Sequence, residues 1–272
     1  MNESGQSTPS VALPATILER AHAIDWGQVS GDLDAEGSAV TGGLLTSKEC
    51  ETLAMLYFRP EIFRSRIVMS RHNFGRGEYQ YFRYPLPDLI EQLRHAIYPY
   101  LVPVANRWNA AMGIEMHFPK KHEDFLARCH HAGQDKPTPL MLKYETDDYN
   151  CLYQDLYGEH VFPLQLAILL SDSYKDFTGG EFVMTEQRPR MQSRPIVVPM
   201  RQGDGVIFAV HHRPVRGGGG LVSCEPPAWG QPRSLRAALH GRDYIPRRQV
   251  NRMENPLQNG ILWPEKGILL PV

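Results

Sequence analysis

The strongest periodic signal in the chain lies between Pro87 and Asn109. There Leu89, Ile90, Leu93, Ile97 and Leu101 recur at three- and four-residue spacing, the stripe of an amphipathic helix. Pro99 and Pro103 fall inside it and predict a kink or split, because proline removes a helical donor and crowds the preceding turn. Ile17, Leu18, Ala21 and Ile24 predict a shorter helix within Val11–Gln28, after a disordered start up to about Ser10. Gly31 to Gly43 reads as a Gly/Asp-rich connector. Thr46-Ser47-Lys48-Glu49 is a capping box, which starts a helix through Leu53, Leu56 and Tyr57 that Pro60 ends.

Elsewhere the pattern favours strands. Ile67 to Tyr84 is aromatic and basic, with Arg71, His72, Phe74, Arg76, Tyr79, Tyr81, Phe82 and Arg83. Arginine and aromatics together suit phosphates and bases. A hairpin turning at Gly75-Gly77, with its aromatics packed on a sheet, accounts for the same residues and is preferred. Val161 to Leu170, Val183 and Val206–Phe208 read as buried strands, and Gly179-Gly180 and Gly203-Asp204 as the turns between them. Short apolar runs separated by Gly/Asp turns predict a sandwich or barrel of short strands. The chain divides into a flexible segment with a short helix (1–43), a helical and hairpin support (44–135), a β core (136–220) and a tail (221–272).

Composition narrows the class without naming it. With 272 residues, 42% hydrophobic content and a net charge of -1, the chain is an ordinary globular protein, and its overall charge does not call for nucleic acid. Met1 to Gln6 lack the basic start and apolar stretch of a signal peptide, and no run is long enough to span a membrane, so a cytoplasmic protein is expected. Cys50, Cys129, Cys151 and Cys224 form no CxxC pair, which predicts reduced thiols and no zinc site. His117, His122, His130 and His131 invite a metal reading. Phe118-Pro119-Lys120-Lys121 between them instead suggests a surface loop.

The chemistry is concentrated between Lys143 and Gly205. Tyr144, the stretch Tyr149-Asn150-Cys151-Leu152-Tyr153-Gln154-Asp155, the Gly179-Gly180-Glu181 turn and Gln202-Gly203-Asp204-Gly205 follow one another in an order and spacing that resemble the iron(II)/2-oxoglutarate dioxygenases, in particular a prolyl-hydroxylase-like bacterial group. The resemblance covers roughly Tyr144 to Arg216. It implies an α+β fold with a mainly β core, a double-stranded β-helix (jelly roll, cupin-like) buttressed by N-terminal helices. It implies Fe(II) and 2-oxoglutarate as cofactors and hydroxylation of a C–H bond in a protein side chain or a damaged nucleobase.

Carried over residue by residue, the resemblance makes Asp155 the carboxylate ligand of the iron, and Tyr144 a residue facing the 2-oxoglutarate carboxylate. Tyr153 stands where the family has its first histidine. A phenol, with a pKa of about 10, is a poor Fe(II) ligand at neutral pH and is longer than imidazole. His211 and His212 correspond to loop residues upstream of the family's distal ligand. That ligand and the arginine that holds 2-oxoglutarate are absent from the chain as written.

A one-base shift restores them. For one choice of codons, Leu221 to Arg233 read one base later become Trp-Tyr-Arg-Val-Asn-Leu-Arg-His-Gly-Val-Ser-Arg, and the next codons continue into Val-Arg-Ser-Gly-Arg-Arg-Tyr. Trp229, which has a single codon, still fits. The slip falls in the Gly217–Gly220 run, so residues from about Leu221 to Val272 are read as out of frame and disordered, with the last strands missing. The chain is then an oxygenase impaired as written. The alternatives are a non-catalytic binding or structural barrel, and an active oxygenase misreported through a sequence error.

Overall fold

The computed structural model describes residues 16–151, 160–173, 175–186, 194–210, 213–217, 220–224, 260–261 and 266–271. In chain order the elements are α1 (Ile17–Ala23), α2 (Trp26–Glu36), β1 (Ser38–Thr41), α3 (Ser47–Leu56), β2 (Phe63–Val68), β3 (Gly75–Arg76), β4 (Glu78–Phe82), α4 (Asp88–Ala111) and α5 (His122–His131). There follow β5 (Leu140–Lys143), β6 (Tyr149–Cys151), β7 (Leu164–Leu169), β8 (Phe182–Glu186), β9 (Arg194–Val198), β10 (Gly205–Ala209), β11 (Arg213–Gly217), β12 (Gly220–Cys224), β13 (Gly260–Ile261) and β14 (Lys266–Pro271).

Local chemistry sets the helix starts. Thr16 and Thr46 each form a reciprocal capping box, with Glu19 and Glu49, and satisfy amides that a helix start leaves open. The Glu49 carboxylate is also clamped by Arg20, whose Nη2 donates to both of its oxygens at 2.7 and 2.8 Å. This pair ties α3 to α1. The short helix expected within Val11–Gln28 is α1; Asp25 caps a second one, and Gly37 ends it at φ 76, the left-handed conformation that glycine adopts without strain. The expected connector from Gly31 to Gly43 is therefore the end of α2 followed by β1, which joins the main sheet. Leu18, placed on the buried stripe by spacing, is 65% exposed.

The α4 stripe holds. Ile90, Leu93, Ile97 and Leu101 are fully buried, and the helix runs unbroken through Pro99 and Pro103, so the predicted split does not occur. The His117–His131 segment also departs from expectation. It is a helix from His122 on, and Phe118 and His122 are buried against Tyr98, Phe125 and Phe162 rather than lying in a surface loop.

The main sheet has seven strands in the order β1-β10-β7-β14-β5-β4-β2, every pairing antiparallel. Alternation splits it into two apolar faces. Met141, Leu164, Leu166, Ile168, Ile207, Ile268 and Leu270 face the helices, where they meet the α4 stripe. Leu140, Leu142, Ala167, Val206 and Leu269 form the opposite face with Tyr144, and the antiparallel pair β8 and β9 covers it through Phe182 and Val198. The hairpin expected at Gly75-Gly77 is present as β2 and β4, and Tyr79 and Tyr81 pack against this second face.

One expectation is overturned. Lys266–Pro271 is not a stretch without a share in the sheet: it lies between β5 and β7, paired to both, with Ile268, Leu269 and Leu270 buried. No strand edge is open at that place. The physical reason is its Gly-Ile-Leu-Leu run, which supplies apolar side chains to both faces of a slot whose flanking strands each need a ladder partner. Pro226, Pro227, Pro232 and Pro246, the prolines that argued against strand structure here, lie outside the described residues.

Candidate functional site

Leu140, Leu142 and Tyr144 alternate along β5 and its extension onto the face under the β8–β9 pair. Tyr144 is 2% exposed, and its hydroxyl is buried without a hydrogen-bond partner among the described residues. Burial pushes its phenol well above the usual range, with smaller contributions from Tyr79 and Asp148. Its ring rests on Gly77, which has φ +111 and whose lack of a side chain makes the approach possible. Met69, Phe182, Val198 and Leu269 complete the apolar surround.

A buried, unpartnered hydroxyl is costly unless something supplies the missing bond. The chemistry suits a ligand carboxylate, which accepts from a phenol strongly in a dry site. The iron side is different. Tyr153 and Asp155 lie outside the described residues, as do His211 and His212. Among the described residues no group of three His, Cys, Asp or Glu is placed to hold a metal ion, and His117, His122, His130 and His131 form no such group.

The approach to the iron-ligand stretch is nonetheless defined. β6 runs between β3 and β13 and ends at Cys151, directly before that stretch. Gly75 fixes its position, since a Cβ there would lie 2.2 Å from the Tyr149 carbonyl oxygen. Beside the β8–β9 pair a cleft of about 870 Å³ is lined by Leu169, Phe182, Val198, Met200 and the Gly179-Gly180 turn. Both turn glycines have positive φ, as their expected role requires.

The Gly203-Asp204 turn is structural. The Asp204 carboxylate accepts from the backbone amides of Gly43 (2.9 Å) and Arg201 (2.8 Å), and Gly203 packs so closely on the Leu45 carbonyl that no side chain fits. Sequence reading took Gly77 for a turn residue only. Its second role, as the floor under Tyr144, depends on a strand pairing far away in sequence. The Arg/aromatic segment is divided: Tyr79 and Tyr81 belong to the core, Arg64 lies 4.3 Å over the Tyr81 ring, and His72 stacks on the exposed Phe74.

Comparison with known proteins accords with this geometry. Residues 77–225 match the model of a family named Oxygenase-NA, described as an oxygenase catalysing oxidative methylation of damaged DNA. Two uncharacterised proteins of Mycobacterium tuberculosis, MT2286 of strain CDC 1551 / Oshkosh and Rv2227 of strain H37Rv, are each 53% identical over 135 residues. That match takes in 50% of this chain and 58% of theirs, so the chain spans little more than half the length of these relatives. Among solved structures, a Pseudomonas putida prolyl-4-hydroxylase is similar over 68% of this chain and 86% of its own (13% identity, TM-score 0.43). A Trichoplax adhaerens prolyl hydroxylase in complex with a hypoxia inducible factor peptide is similar over 92% and 89% (10% identity, TM-score 0.46). With more than half of its residues inside the family match, the chain belongs to the Oxygenase-NA family.

Proposed function

We propose that this chain is, by descent, a 2-oxoglutarate/Fe(II)-dependent oxygenase of damaged nucleic acid, built on a jelly-roll core and impaired as written at its metal. The observation that carries the reading is the Tyr144 hydroxyl, buried and unpartnered on the inner face of β5. The family's description supports the substrate class, and the Tyr144–Asp155 spacing supports the cofactor. When bound, iron with 2-oxoglutarate supplies the oxidising power to hydroxylate a C–H bond. The chain's own part is positional. Tyr144 donates to the co-substrate carboxylate, and Leu142 and Phe182 keep water from that bond.

Two departures account for the impairment. Tyr153 replaces the first imidazole, and the distal ligand and its arginine are displaced by the shift at Gly217–Gly220. The family match ends at residue 225, just past that run, while Lys266–Pro271 beyond it still pairs within the main sheet. The test is a double repair: Tyr153→His together with removal of one base in the glycine codons. The repaired protein is expected to bind one iron, convert 2-oxoglutarate to succinate and do so faster with an alkylated single-stranded oligonucleotide. Tyr153→His alone is expected to remain inert. A repaired protein that stays free of iron and consumes no 2-oxoglutarate defeats the reading.

A further inference from the structure

At the opposite end of β5 from Tyr144 there is a second cavity, of about 120 Å³, bounded by Leu140 and by Gln165 at the start of β7. Its basic groups come from separate parts of the chain: Arg94 from α4, His130 from α5, Lys136 from the segment before β5 and His160 from the segment before β7. Among the described residues its lining carries no Asp or Glu. Arg94 is 5% exposed, with the Tyr84 hydroxyl as one partner, and burial holds its guanidinium below the ordinary range.

The cavity wall is fixed from two sides. The His160 backbone amide donates to Gln134 Oε1 at 2.8 Å, and Gln134 Nε2 donates back to the His160 carbonyl at 3.2 Å. This double bond pattern anchors the loop, while His160 Nδ1 is buried without a partner. On the other side the Tyr84 and His130 rings meet edge to face at 5.9 Å.

A guanidinium, an ammonium and imidazoles around one small space with a largely apolar wall, and no carboxylate among the described residues that line it, form a site for an anion. Donors arriving from several directions suit a tetrahedral oxyanion better than a planar carboxylate, which arginine alone can saturate. The space holds the equivalent of roughly four waters at about 30 Å³ each, enough for a phosphate group and too little for a nucleoside as well. We propose that this cavity binds a phosphate group, free or as the terminal phosphate of a mononucleotide, with Arg94 and His160 as its inner donors and exposed Lys136 at the mouth. The site lies at the other end of β5 from Tyr144, and its proposal does not rest on the oxygenase reading.

Thermal unfolding of the full chain in a phosphate-free buffer, titrated with inorganic phosphate, adenosine monophosphate or adenosine, tests the site. Phosphate and the nucleotide are expected to raise the melting temperature saturably, and adenosine to leave it unchanged. A tighter response to the nucleotide identifies it as the source of the phosphate; an equal response identifies free phosphate. Arg94→Met is expected to abolish the response, and Lys136→Gln, at an exposed position, to weaken it about tenfold without altering the starting melting temperature. His160→Asn, also expected to weaken binding, decides together with Lys136→Gln if Arg94→Met does not fold. Absence of a saturable response to both phosphate compounds, or an unaltered response in the folded variants, overturns the proposal.

Discussion

The Tyr144 ring lies directly on Gly77: a Cβ at position 77 would stand 2.6 Å from Tyr144 Cδ1 and 2.9 Å from Cε1. Gly77 also has φ +111, which side-chain-bearing residues rarely adopt. Gly77→Ala is therefore expected to destabilise the chain by about 2 kcal/mol, from backbone strain and displacement of the ring. The denaturant midpoint measures the loss, and an unchanged midpoint refutes the contact.

Tyr144→Phe tests the opposite side of the same contact. It removes a buried hydroxyl with no partner while keeping the ring. The ligand-free protein is expected to be unchanged or more stable by about 1 kcal/mol. In the frame-repaired Tyr153→His protein, the same change should weaken 2-oxoglutarate binding. A Tyr144→Phe protein clearly less stable than its parent would mean that the hydroxyl already has a protein partner.

Ile268 sits at the centre of the main sheet, opposite Met141 on one side and Ile168 on the other, and is fully buried. Ile268→Ala is expected to cost about 2–4 kcal/mol, the range for a large side chain removed from a core. Ending the chain before Lys266 should do more, exposing the facing edges of β5 and β7 and producing aggregation visible by light scattering. A shortened chain that stays monomeric and equally stable would show that β14 has no share in the core.

His122 gives the chain an acid-sensitive point. It is 2% exposed, both ring nitrogens lack partners, and burial, with Arg94 and His95 adding to it, brings its pKa down to about 3. Because the folded pKa lies below the unfolded one, the unfolded chain takes up the proton first. Stability should then fall as pH drops below about 6.5, by up to ~1.4 kcal/mol per pH unit. His122→Phe is expected to flatten this slope between pH 6.5 and pH 4, measured by urea midpoints. An unchanged slope would place the acid sensitivity elsewhere.

The sequence made helices and turns legible where a local cause suffices. Thr46 and Glu49 mark a start by themselves, the α4 stripe needs only its own spacing, and Gly179-Gly180 needs only its backbone angles. The family order from Tyr144 to Gly205 was equally readable, because a motif carries its partners in one stretch. Features set by distant partners were not. Nothing local shows that Gly77 lies beneath Tyr144, or that His122 packs against Tyr98 and His95. The role of Lys266–Pro271 was hidden for the same reason: proline content described the tail's average, whereas the slot between β5 and β7 selects only six residues of it.

That slot also sets an order of assembly. β5 and β7 leave the ribosome with a gap between them, and the strand that fills it follows β5 by roughly 120 positions, a long-range closure of the kind that slows folding. Until it arrives, two ladders of unpaired amides and carbonyls face each other across an apolar trough, a surface that chaperones retain and that neighbouring chains can invade. A nascent chain of this protein is thus most vulnerable between the synthesis of β7 and the arrival of β14.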